Sequence, residues 1–320
     1  DELINSLSGY IEKDLADNGK VDKNGKDKFI EEEEGRYNRQ IDSLADEVVE
    51  NDVQMVLLAG PSGSGKTTTA HLLRDYLEEL GLQAQIVSLD DFYLGTAQMP
   101  LLPSGERDYE TVNALDVEMV RQCIRSVIDQ GTCMLPAYDF MTSERRLNAR
   151  ALDVRENGFV IMEGIHALNP IFTKDLPAGS AIKLYVSVKQ QIKDANGEVV
   201  SPMDLRLIRR IARDVQFRNT SAERTLAMWP NVVAGEDKYI RPYRMSADYT
   251  VNSIHIYEPC VLRSSVIPLL RSIPEDSPHY RKARDLDARL MRFEPVDPDL
   301  VPENSMLREF LGPKGAKRAE

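Results

Sequence analysis

An apolar run followed by a glycine-rich octapeptide constrains the fold of this chain most strongly. Residues 53–59 read VQMVLLA and predict a buried strand, residues 60–67 read GPSGSGKT, and the apolar spacing from Thr67 to Leu80 predicts a helix that ends at Gly81. Glycines let the backbone turn its amide hydrogens inward, and the start of the helix adds partial positive charge. A ligand-free turn is the alternative, but the adjoining strand and helix favour a polyphosphate-binding loop.

The octapeptide matches GxxxxGK[ST], the phosphate-binding loop (P-loop) of nucleoside triphosphatases and kinases. In this pattern Lys66 is expected to reach the β and γ phosphates of ATP, and Thr67 is expected to bind Mg²⁺. The residues predicted to bind ATP through the loop are Gly60, Pro61, Ser62, Gly63, Ser64, Gly65, Lys66, Thr67 and Thr68. The sequence contains neither an NKxD guanine-reading motif nor the HRD loop of protein kinases, which favours a small-molecule kinase.

Strand and helix patterns alternate after the P-loop. The further predicted elements are strands at 83–89, 134–137, 159–162 and 182–188, and helices at 114–130, 203–217 and 280–290. Such alternation predicts a parallel sheet with helices on both faces. The expected fold class is therefore α/β, a P-loop NTPase fold of three α/β/α layers with a mostly parallel sheet and a helical lid.

Acidic side chains follow two of the predicted strands. Asp90 and Asp91 come directly after the strand at 83–89, and Glu163 follows FVIM. Ligands of open α/β folds bind at the carboxyl edge of the sheet, where these residues are expected. One of the two aspartates is expected to orient or deprotonate an acceptor hydroxyl, and Glu163 to hold magnesium or its water. A helix N-cap and a structural strand end are the alternative roles.

The helix predicted at 203–217 is rich in arginine. Its spacing places Arg206, Arg210 and Arg213 on one face, and Arg209 and Arg218 lie nearby. Guanidinium groups suit a closing lid that neutralises charge on a transferring phosphoryl group. A solvated basic face with surface salt bridges is the alternative.

The first 50 residues contain 15 acidic and 7 basic side chains, within a chain whose formal net charge is -12. The charged stretch 17–34 has few apolar residues and predicts a mobile loop or linker, whereas the apolar spacing of 41–49 predicts an amphipathic helix. The acidic charge argues against DNA as a partner, and no apolar run is long enough to cross a bilayer. A protein without a membrane or nucleic-acid partner is expected.

The three cysteines, Cys123, Cys133 and Cys260, form no CxxC pair. This pattern is typical of buried thiols in a reducing compartment rather than of disulfides or a zinc site. A cytoplasmic location is therefore predicted.

Five segments in this order, LAGPSGSGKTTTA, SLDDFY, LPAYDF, IMEGIHAL and RLIRRIARD, resemble the uridine kinase branch of the phosphoribulokinase and uridine kinase family over about residues 52–255. RDYETVNALD, AMWPNVVAGEDKYIRPY and NSMLREFLG are similar to long bacterial uridine-kinase-like proteins, in which the kinase follows modules like the N-terminal part of threonyl-tRNA synthetase. This resemblance implies an acidic extension or module tail at 1–50, a kinase domain at 51–273 with a lid at about 203–242, and a helical extension at 274–320.

The resemblance implies an ATP- and Mg²⁺-dependent kinase of a nucleoside 5′-hydroxyl, with a homo-oligomer as a further expectation. Asp90 is then the base that activates the hydroxyl, and Thr67, Asp90 and Glu163 form the magnesium site. The other residues that the resemblance places at the site are Tyr93 as a pocket wall, Glu110 as a ribose contact, Tyr138 as a contact of the nucleoside base, Arg210 as a substrate contact, Arg213 and Lys66 as catalytic groups, and Arg218 as an ATP contact.

Two positions depart from the family pattern. Ser143 stands where typical uridine-cytidine kinases have a His that reads the pyrimidine edge, and Met228 stands where they have a Gln of the lid. Specificity among bases depends on such polar groups, so the reaction class is retained while the acceptor is open. The alternatives are a kinase of another hydroxyl compound, such as ribulose phosphate, pantothenate or glycerate, and a nucleotide-binding regulatory module whose kinase site has decayed.

Overall fold

The computed structural model describes residues 23–51, 53–139, 142–155, 158–174, 176–177, 179–193, 197 and 199–315. The chain divides into two compact units, which we call the P-loop unit and the arginine-helix unit. The P-loop unit consists of Gln40–Ser187 and Asn231–Val251. Within the described ranges, the arginine-helix unit consists of residues 23–39, 188–230 and 252–315.

The secondary structure alternates between helices and strands over most of the described residues. The strands are β1 Met55–Ala59, β2 Gln83–Ser88, β3 Thr132–Asp139, β4 Glu144–Asp153, β5 Gly158–Glu163, β6 Ala181–Ser187, β7 Ile192–Lys193, β8 Val199–Val200 and β9 Tyr249–Asn252. The α-helices are α1 Lys23–Glu50, α2 Lys66–Glu79, α3 Val117–Gln130, α4 Pro170–Thr173, α5 Pro202–Phe217, α6 Ala222–Tyr239, α7 Glu258–Arg271, α8 Tyr280–Leu290 and α9 Arg308–Leu311.

The P-loop unit is organised around a five-stranded sheet with the order β2-β5-β1-β6-β9. The pairs β2/β5, β5/β1 and β1/β6 are parallel. Every residue of β1 is buried, as expected for a parallel strand covered on both faces. The expected fold class, a mostly parallel sheet with helices beside it, is confirmed. Because β5 lies between β1 and β2, the carboxyl ends of these three strands are adjacent.

The strand predicted at 134–137 belongs to a different sheet. It forms β3, which pairs antiparallel with β4 in a two-stranded sheet of its own. The sequence ERRLNARALD of β4 leaves nine of its ten side chains at least partly exposed, so it lacks the apolar pattern of a buried strand. Sequence periodicity therefore finds β3 but neither its partner nor its orientation.

The prediction of a loop at 17–34 is wrong from residue 23 onward, where α1 begins, and residues 17–22 lie outside the described part of the chain. Phe29, Ile30 and Tyr37 are buried at helical spacing. Glu34 is also buried and accepts hydrogen bonds from the hydroxyl groups of Tyr257 and Ser305. Amino-acid composition does not distinguish a buried carboxylate from a solvated one, so the many charged residues of this segment indicated a linker. The amphipathic helix expected at 41–49 is confirmed as part of α1.

The arginine-rich helix α5 matches the predicted range closely and is not a solvated basic face. Arg206 and Arg209 are buried, and the guanidinium carbon of Arg206 lies 5.6 Å from the centroid of the Trp229 ring. Asp204, near the start of the helix, pairs with Lys282 at 2.7 Å. The helix is therefore held by contacts of its arginine side chains within the arginine-helix unit.

No helix in the described ranges has the length and apolar character needed to span a bilayer. The domain boundaries expected at 1–50, 51–273 and 274–320 stay predictions.

Candidate functional site

The P-loop connects β1 to α2 through a backbone that only glycine adopts easily. Gly63 has a φ of 73° and Gly65 a φ of 84°, both in the left-handed region. Gly65 is the N-cap of α2 and, having no side chain, provides no cap hydrogen bond to the first turn. The dipole of α2 favours negative charge at this end of the helix, which suits a bound phosphate.

Gly60 makes the closest approach in the loop. A Cβ atom at this position would lie 2.2 Å from the carbonyl oxygen of Val186 at the end of β6, and 2.8 Å from Oγ of Ser64. Ser64 is itself fully buried. The loop therefore packs directly on the sheet with no space for a side chain.

We predict that Gly60→Ala displaces the loop. The added Cβ atom would collide with the backbone carbonyl of Val186, which cannot move aside as a flexible side chain would. The expected result is a loss of about 1–3 kcal/mol in the free energy of unfolding, together with ATP binding weakened about tenfold or more. Urea denaturation and calorimetric titration with Mg-ATP measure the two effects. Gly95→Ala is the matched control, since its added Cβ meets nothing within 4 Å. Equal ATP affinity of the two variants would contradict the prediction.

Ser88 connects the two acidic strand ends. Its hydroxyl donates to Oε1 of Glu163 at 2.8 Å and accepts the backbone N–H of Asp90 at 3.3 Å. The second bond caps a short 3₁₀ helix, Leu89–Phe92, that follows β2. One hydroxyl thus fixes both the start of the segment that carries Asp90 and the side chain of Glu163.

The residues predicted to bind magnesium line one open cleft of about 670 Å³. Thr67 at the start of α2, Asp90 after β2 and Glu163 at the end of β5 all contribute to its wall. No group of three or more His, Cys, Asp and Glu in the described ranges could hold a metal by itself. A hydroxyl and two carboxylates nonetheless fit Mg²⁺, which is usually bound by one or two carboxylates with water and substrate phosphates.

The neighbouring Asp91 has a different environment from Asp90. Burial raises the pKa of Asp91 above its ordinary value, and the charge of Asp90 adds to this rise. A hydrogen bond from the backbone N–H of Tyr138 and the charge of Arg150 act in the opposite direction. Asp91 therefore ties the 3₁₀ segment to β3, which favours Asp90 as the carboxylate for the reaction.

Three tyrosines pack together directly after the acidic segment. The Tyr93 ring centroid lies 5.4 Å from that of Tyr109 and 5.5 Å from that of Tyr138. The Tyr93 hydroxyl donates to the carbonyl oxygen of Tyr109 at 2.9 Å. Tyr93 and Tyr138, the predicted pocket wall and base contact, are thus brought together, and Tyr109 joins them.

The hydroxyl groups of this cluster differ in acidity. Burial, together with the nearby Tyr109, raises the pKa of Tyr138 to about 12. Burial also disfavours ionised Tyr109, but hydrogen bonds with Tyr138, Arg107 and Ser143 outweigh it and lower the pKa of Tyr109. The two hydroxyl oxygens are 3.4 Å apart. The cluster is therefore polarised by Arg107 at one end.

Glu110, the predicted ribose contact, directly follows Tyr109 in the chain. Its backbone N–H donates to Oδ1 of Asp108 at 3.1 Å. Its side chain packs against Gly235 of α6, where an added Cβ would lie 2.4 Å from Cβ of Glu110. The carboxylate of Glu110 is thereby held close to α6 within the P-loop unit.

The predicted lid residues belong to the arginine-helix unit, where they converge on Asp214. This buried carboxylate accepts from Arg210 at 3.1 Å, from Arg213 at 3.5 Å and lies 3.8 Å from Arg218. Arg213 also pairs with Glu309 at 3.4 Å. Three guanidinium groups and two carboxylates, Asp214 and Glu309, therefore lie together, and the roles of the arginines in the reaction stay predictions.

Sequence reasoning missed Ser88 and Arg107. A serine two residues before Asp90 has the spacing of a helix cap, so a signal for Ser88 existed. No local pattern marks Arg107, since its contact with Ser143 joins positions 36 residues apart.

Comparison with known proteins gives a match to the Phosphoribulokinase / Uridine kinase family over residues 55–258. The chain is 27% identical over 198 residues to a uridine kinase of Ureaplasma parvum serovar 3, covering 62% of this chain and 86% of the relative. It is 27% identical over 203 residues to a uridine kinase of Ligilactobacillus salivarius, covering 63% of this chain and 86% of that protein.

A solved structure from Silicibacter sp. TM1040, described as a candidate fructose transport system kinase, has the same fold. Its TM-score is 0.51 at 23% sequence identity, covering 66% of this chain and 98% of that one. The family match spans both the P-loop and the acidic strand ends described above, and it extends over more than half of the 320 residues. The chain therefore belongs to the phosphoribulokinase/uridine kinase family, whose members are phosphotransferases that act on an alcohol.

Proposed function

We propose that this protein transfers the γ-phosphoryl group of ATP to the hydroxyl of a small metabolite, with the 5′-hydroxyl of a uridine- or cytidine-like nucleoside as the leading acceptor. The observation that supports this most is that Thr67, Asp90 and Glu163 line one cleft beside the P-loop. A P-loop alone binds phosphates, but a carboxylate next to it supplies the base that a kinase needs.

Asp90 takes the proton of the acceptor hydroxyl as its oxygen attacks the γ phosphorus. A phosphorus–oxygen bond to the acceptor forms, the bond from the γ phosphorus to the β–γ bridging oxygen breaks, and ADP leaves with the negative charge. The amides of the P-loop and the ammonium of Lys66 hold the phosphates in line. Ser88 keeps Asp90 and Glu163 in position through its two hydrogen bonds.

Thr67, Glu163 and Asp90 are the residues that would hold Mg²⁺, which neutralises phosphate charge when bound. The arginines around Asp214 would neutralise further charge on the phosphoryl group and limit its transfer to water. Arg218 is the first candidate for this role, because 43% of its side chain is exposed, against 10% for Arg210 and 13% for Arg213.

A second candidate acceptor is a different hydroxyl metabolite, such as a sugar phosphate or a hydroxy acid. The observation that favours it is the bond from Arg107 to Ser143 at 2.9 Å, at the position where typical uridine-cytidine kinases have a His. An arginine at this place changes what the pocket can recognise.

Incubation with Mg-ATP and a panel of hydroxyl compounds tests the proposal. Uridine, cytidine, adenosine, pantothenate, glycerate and ribulose 5-phosphate form a suitable panel, with product detected by mass spectrometry. We expect phosphorylated product from at least one compound at a rate well above ATP hydrolysis in buffer. Failure with every nucleoside would exclude the leading acceptor, and failure with the whole panel would favour a nucleotide-binding regulatory module.

The resemblance to long bacterial proteins with threonyl-tRNA-synthetase-like modules remains a prediction, since the family match begins at residue 55.

A further inference from the structure

Arg107 stands at the end of the tyrosine cluster with neutral partners. Its Nη1 atom donates to the hydroxyl of Ser143 at 2.9 Å and lies 3.4 Å from the hydroxyl of Tyr109. Within the described ranges these bonds use Nη1 alone, and no carboxylate lies at ion-pair distance from this guanidinium. Arg145, on the nearby β4, by contrast pairs with Asp116 at 2.8 Å.

The fold holds this guanidinium in place rather than leaving it on a flexible surface. Arg107 and Leu101 form an isolated antiparallel bridge, and the backbone N–H of Asp108 donates to the carbonyl oxygen of Pro100 at 2.8 Å. The side chain is half-buried between Tyr109 and Ser143. A guanidinium fixed in this way loses little conformational freedom when it binds a ligand.

Ser143 is positioned to receive Arg107 at a cost in backbone energy. Its φ of 57° lies in the left-handed region, which side chains other than glycine seldom adopt. The Thr96 hydroxyl donates to its carbonyl oxygen at 3.0 Å, while Arg107 binds its side chain. Contacts that stabilise an uncommon conformation are concentrated at ligand-binding sites.

The Arg107 group is connected to the segment that carries the proposed base. Tyr93 directly follows the 3₁₀ helix of Asp90, and its ring packs on both Tyr109 and Tyr138. Asp91 accepts a hydrogen bond from the backbone N–H of Tyr138. The tyrosine cluster therefore connects the 3₁₀ segment that carries Asp90 to Arg107 through packed rings.

We propose that Arg107, with Ser143 and the Tyr109 hydroxyl, forms an anion subsite that binds a carboxylate or phosphate at the far end of the acceptor. The inference rests on the proposed kinase function and specifies its acceptor as an anionic hydroxyl compound. The Nε and Nη2 edge of a guanidinium matches the two oxygens of such a group. Without an anion, the half-buried Arg107 is bound only to neutral hydroxyl groups, and its interaction free energy is less favourable than that of an ion pair.

Direct binding to the protein saturated with Mg-ADP tests the subsite without requiring turnover. The probes are three matched pairs, each a neutral and an anionic hydroxyl compound: uridine and orotidine, glycerol and D-glycerate, D-ribulose and D-ribulose 5-phosphate. The first two pairs examine a carboxylate and the third a phosphate. We expect at least one anionic member to bind about 10- to 100-fold more tightly than its neutral partner in calorimetric titrations.

The Arg107→Gln variant is expected to lose that preference, with the two members of the pair binding within about twofold of each other. Arg107→Lys keeps the positive charge but loses the planar guanidinium that binds two oxygens at once. This variant is expected to retain part of the preference for the anionic member. Arg155→Gln is the control, because Arg155 is an exposed arginine of the same unit that pairs with Asp153. Thermal unfolding of each variant verifies that it is folded.

Two results would overturn the subsite: no anionic probe binding better than its neutral partner, or an unchanged preference in Arg107→Gln. Turnover of the same pairs separates this inference from the proposed function. If the neutral and anionic members are phosphorylated with equal kcat/KM, the proposed kinase function is supported and the anion subsite is excluded. If the binding preference depends on Arg107 but no probe is phosphorylated, the anion subsite is supported and the proposed kinase function is contradicted.

Discussion

Replacing Asp90 with Asn is expected to lower kcat for phosphoryl transfer by about 10²–10⁴-fold, the usual contribution of a positioned general base. The amide is nearly isosteric but cannot accept the hydroxyl proton. The bond from the Asp90 backbone N–H to Ser88 does not involve the carboxylate and should persist. Because the Asn side-chain oxygen can still bind Mg²⁺, ATP affinity is expected to change less than kcat. Steady-state kinetics with the best acceptor from the panel measure both quantities.

Asp91→Asn is the matched control for this prediction. The Asp91 carboxylate accepts the backbone N–H of Tyr138, so its loss should affect stability more than turnover. A larger fall in kcat for Asp91→Asn than for Asp90→Asn would reverse the assignment of the base. Unchanged turnover in Asp90→Asn would exclude Asp90 as the general base. A wild-type protein that binds ATP but phosphorylates nothing would favour the regulatory-module hypothesis.

The sequence predicts well where the P-loop, Asp90 and Glu163 lie, because the determinants of their positions are local. The P-loop residues are contiguous, and the apolar runs before Asp90 and Glu163 mark strands by themselves. Parallel strands end at the same edge of a sheet, so the order of residues along the chain is enough to place the two carboxylates near the loop. What cannot be predicted is the bond that orients them, since Ser88 and Glu163 are 75 residues apart.

The surroundings of Arg107 and Ser143 are harder to predict because long-range contacts define them. Arg107 contacts Ser143, which lies between β3 and β4. Nine of the ten side chains of β4 are at least partly exposed, so no apolar pattern reveals this strand. Polar residues in such a segment look like a solvated loop when seen in sequence. The same failure hides the buried Glu34 in α1. Both errors arise where a charged or polar side chain has a partner that is distant along the chain.

Replacing Glu258 with Gln is expected to lower the free energy of unfolding by about 3–5 kcal/mol, the cost of leaving a buried charge without its partner. Glu258 and Arg209 are both fully buried. Arg209 Nε donates to Glu258 at 2.6 Å, and Nη2 donates to the carbonyl oxygen of Ser253 at 2.8 Å. The backbone N–H of His255 also donates to Glu258 at 2.7 Å. Urea denaturation of the variant measures the loss.

Two further variants identify the origin of that loss. The double replacement Arg209→Met with Glu258→Leu removes both charges, and it is expected to recover most of the stability because buried ion pairs are often no better than apolar contacts. Glu32→Gln is the control, since its pair with Lys28 is exposed, and it should leave the denaturation midpoint unchanged within error. Equal midpoints for Glu258→Gln and wild type would show that the buried pair contributes nothing.

The double variant also tests whether the buried Arg209 of α5 has a different role from the more exposed Arg213 and Arg218. Arg209 faces Glu258 and the Phe310 ring, whose centroid is 5.3 Å from its guanidinium carbon, so its charge is already used inside the arginine-helix unit. Arg213 and Arg218 both contact Asp214, and 13% and 43% of their side chains are exposed. The folded double variant is therefore expected to keep kcat within about threefold of wild type, a change of less than about 1 kcal/mol in the barrier. A fall as large as that of Asp90→Asn would instead give Arg209 a role in the reaction.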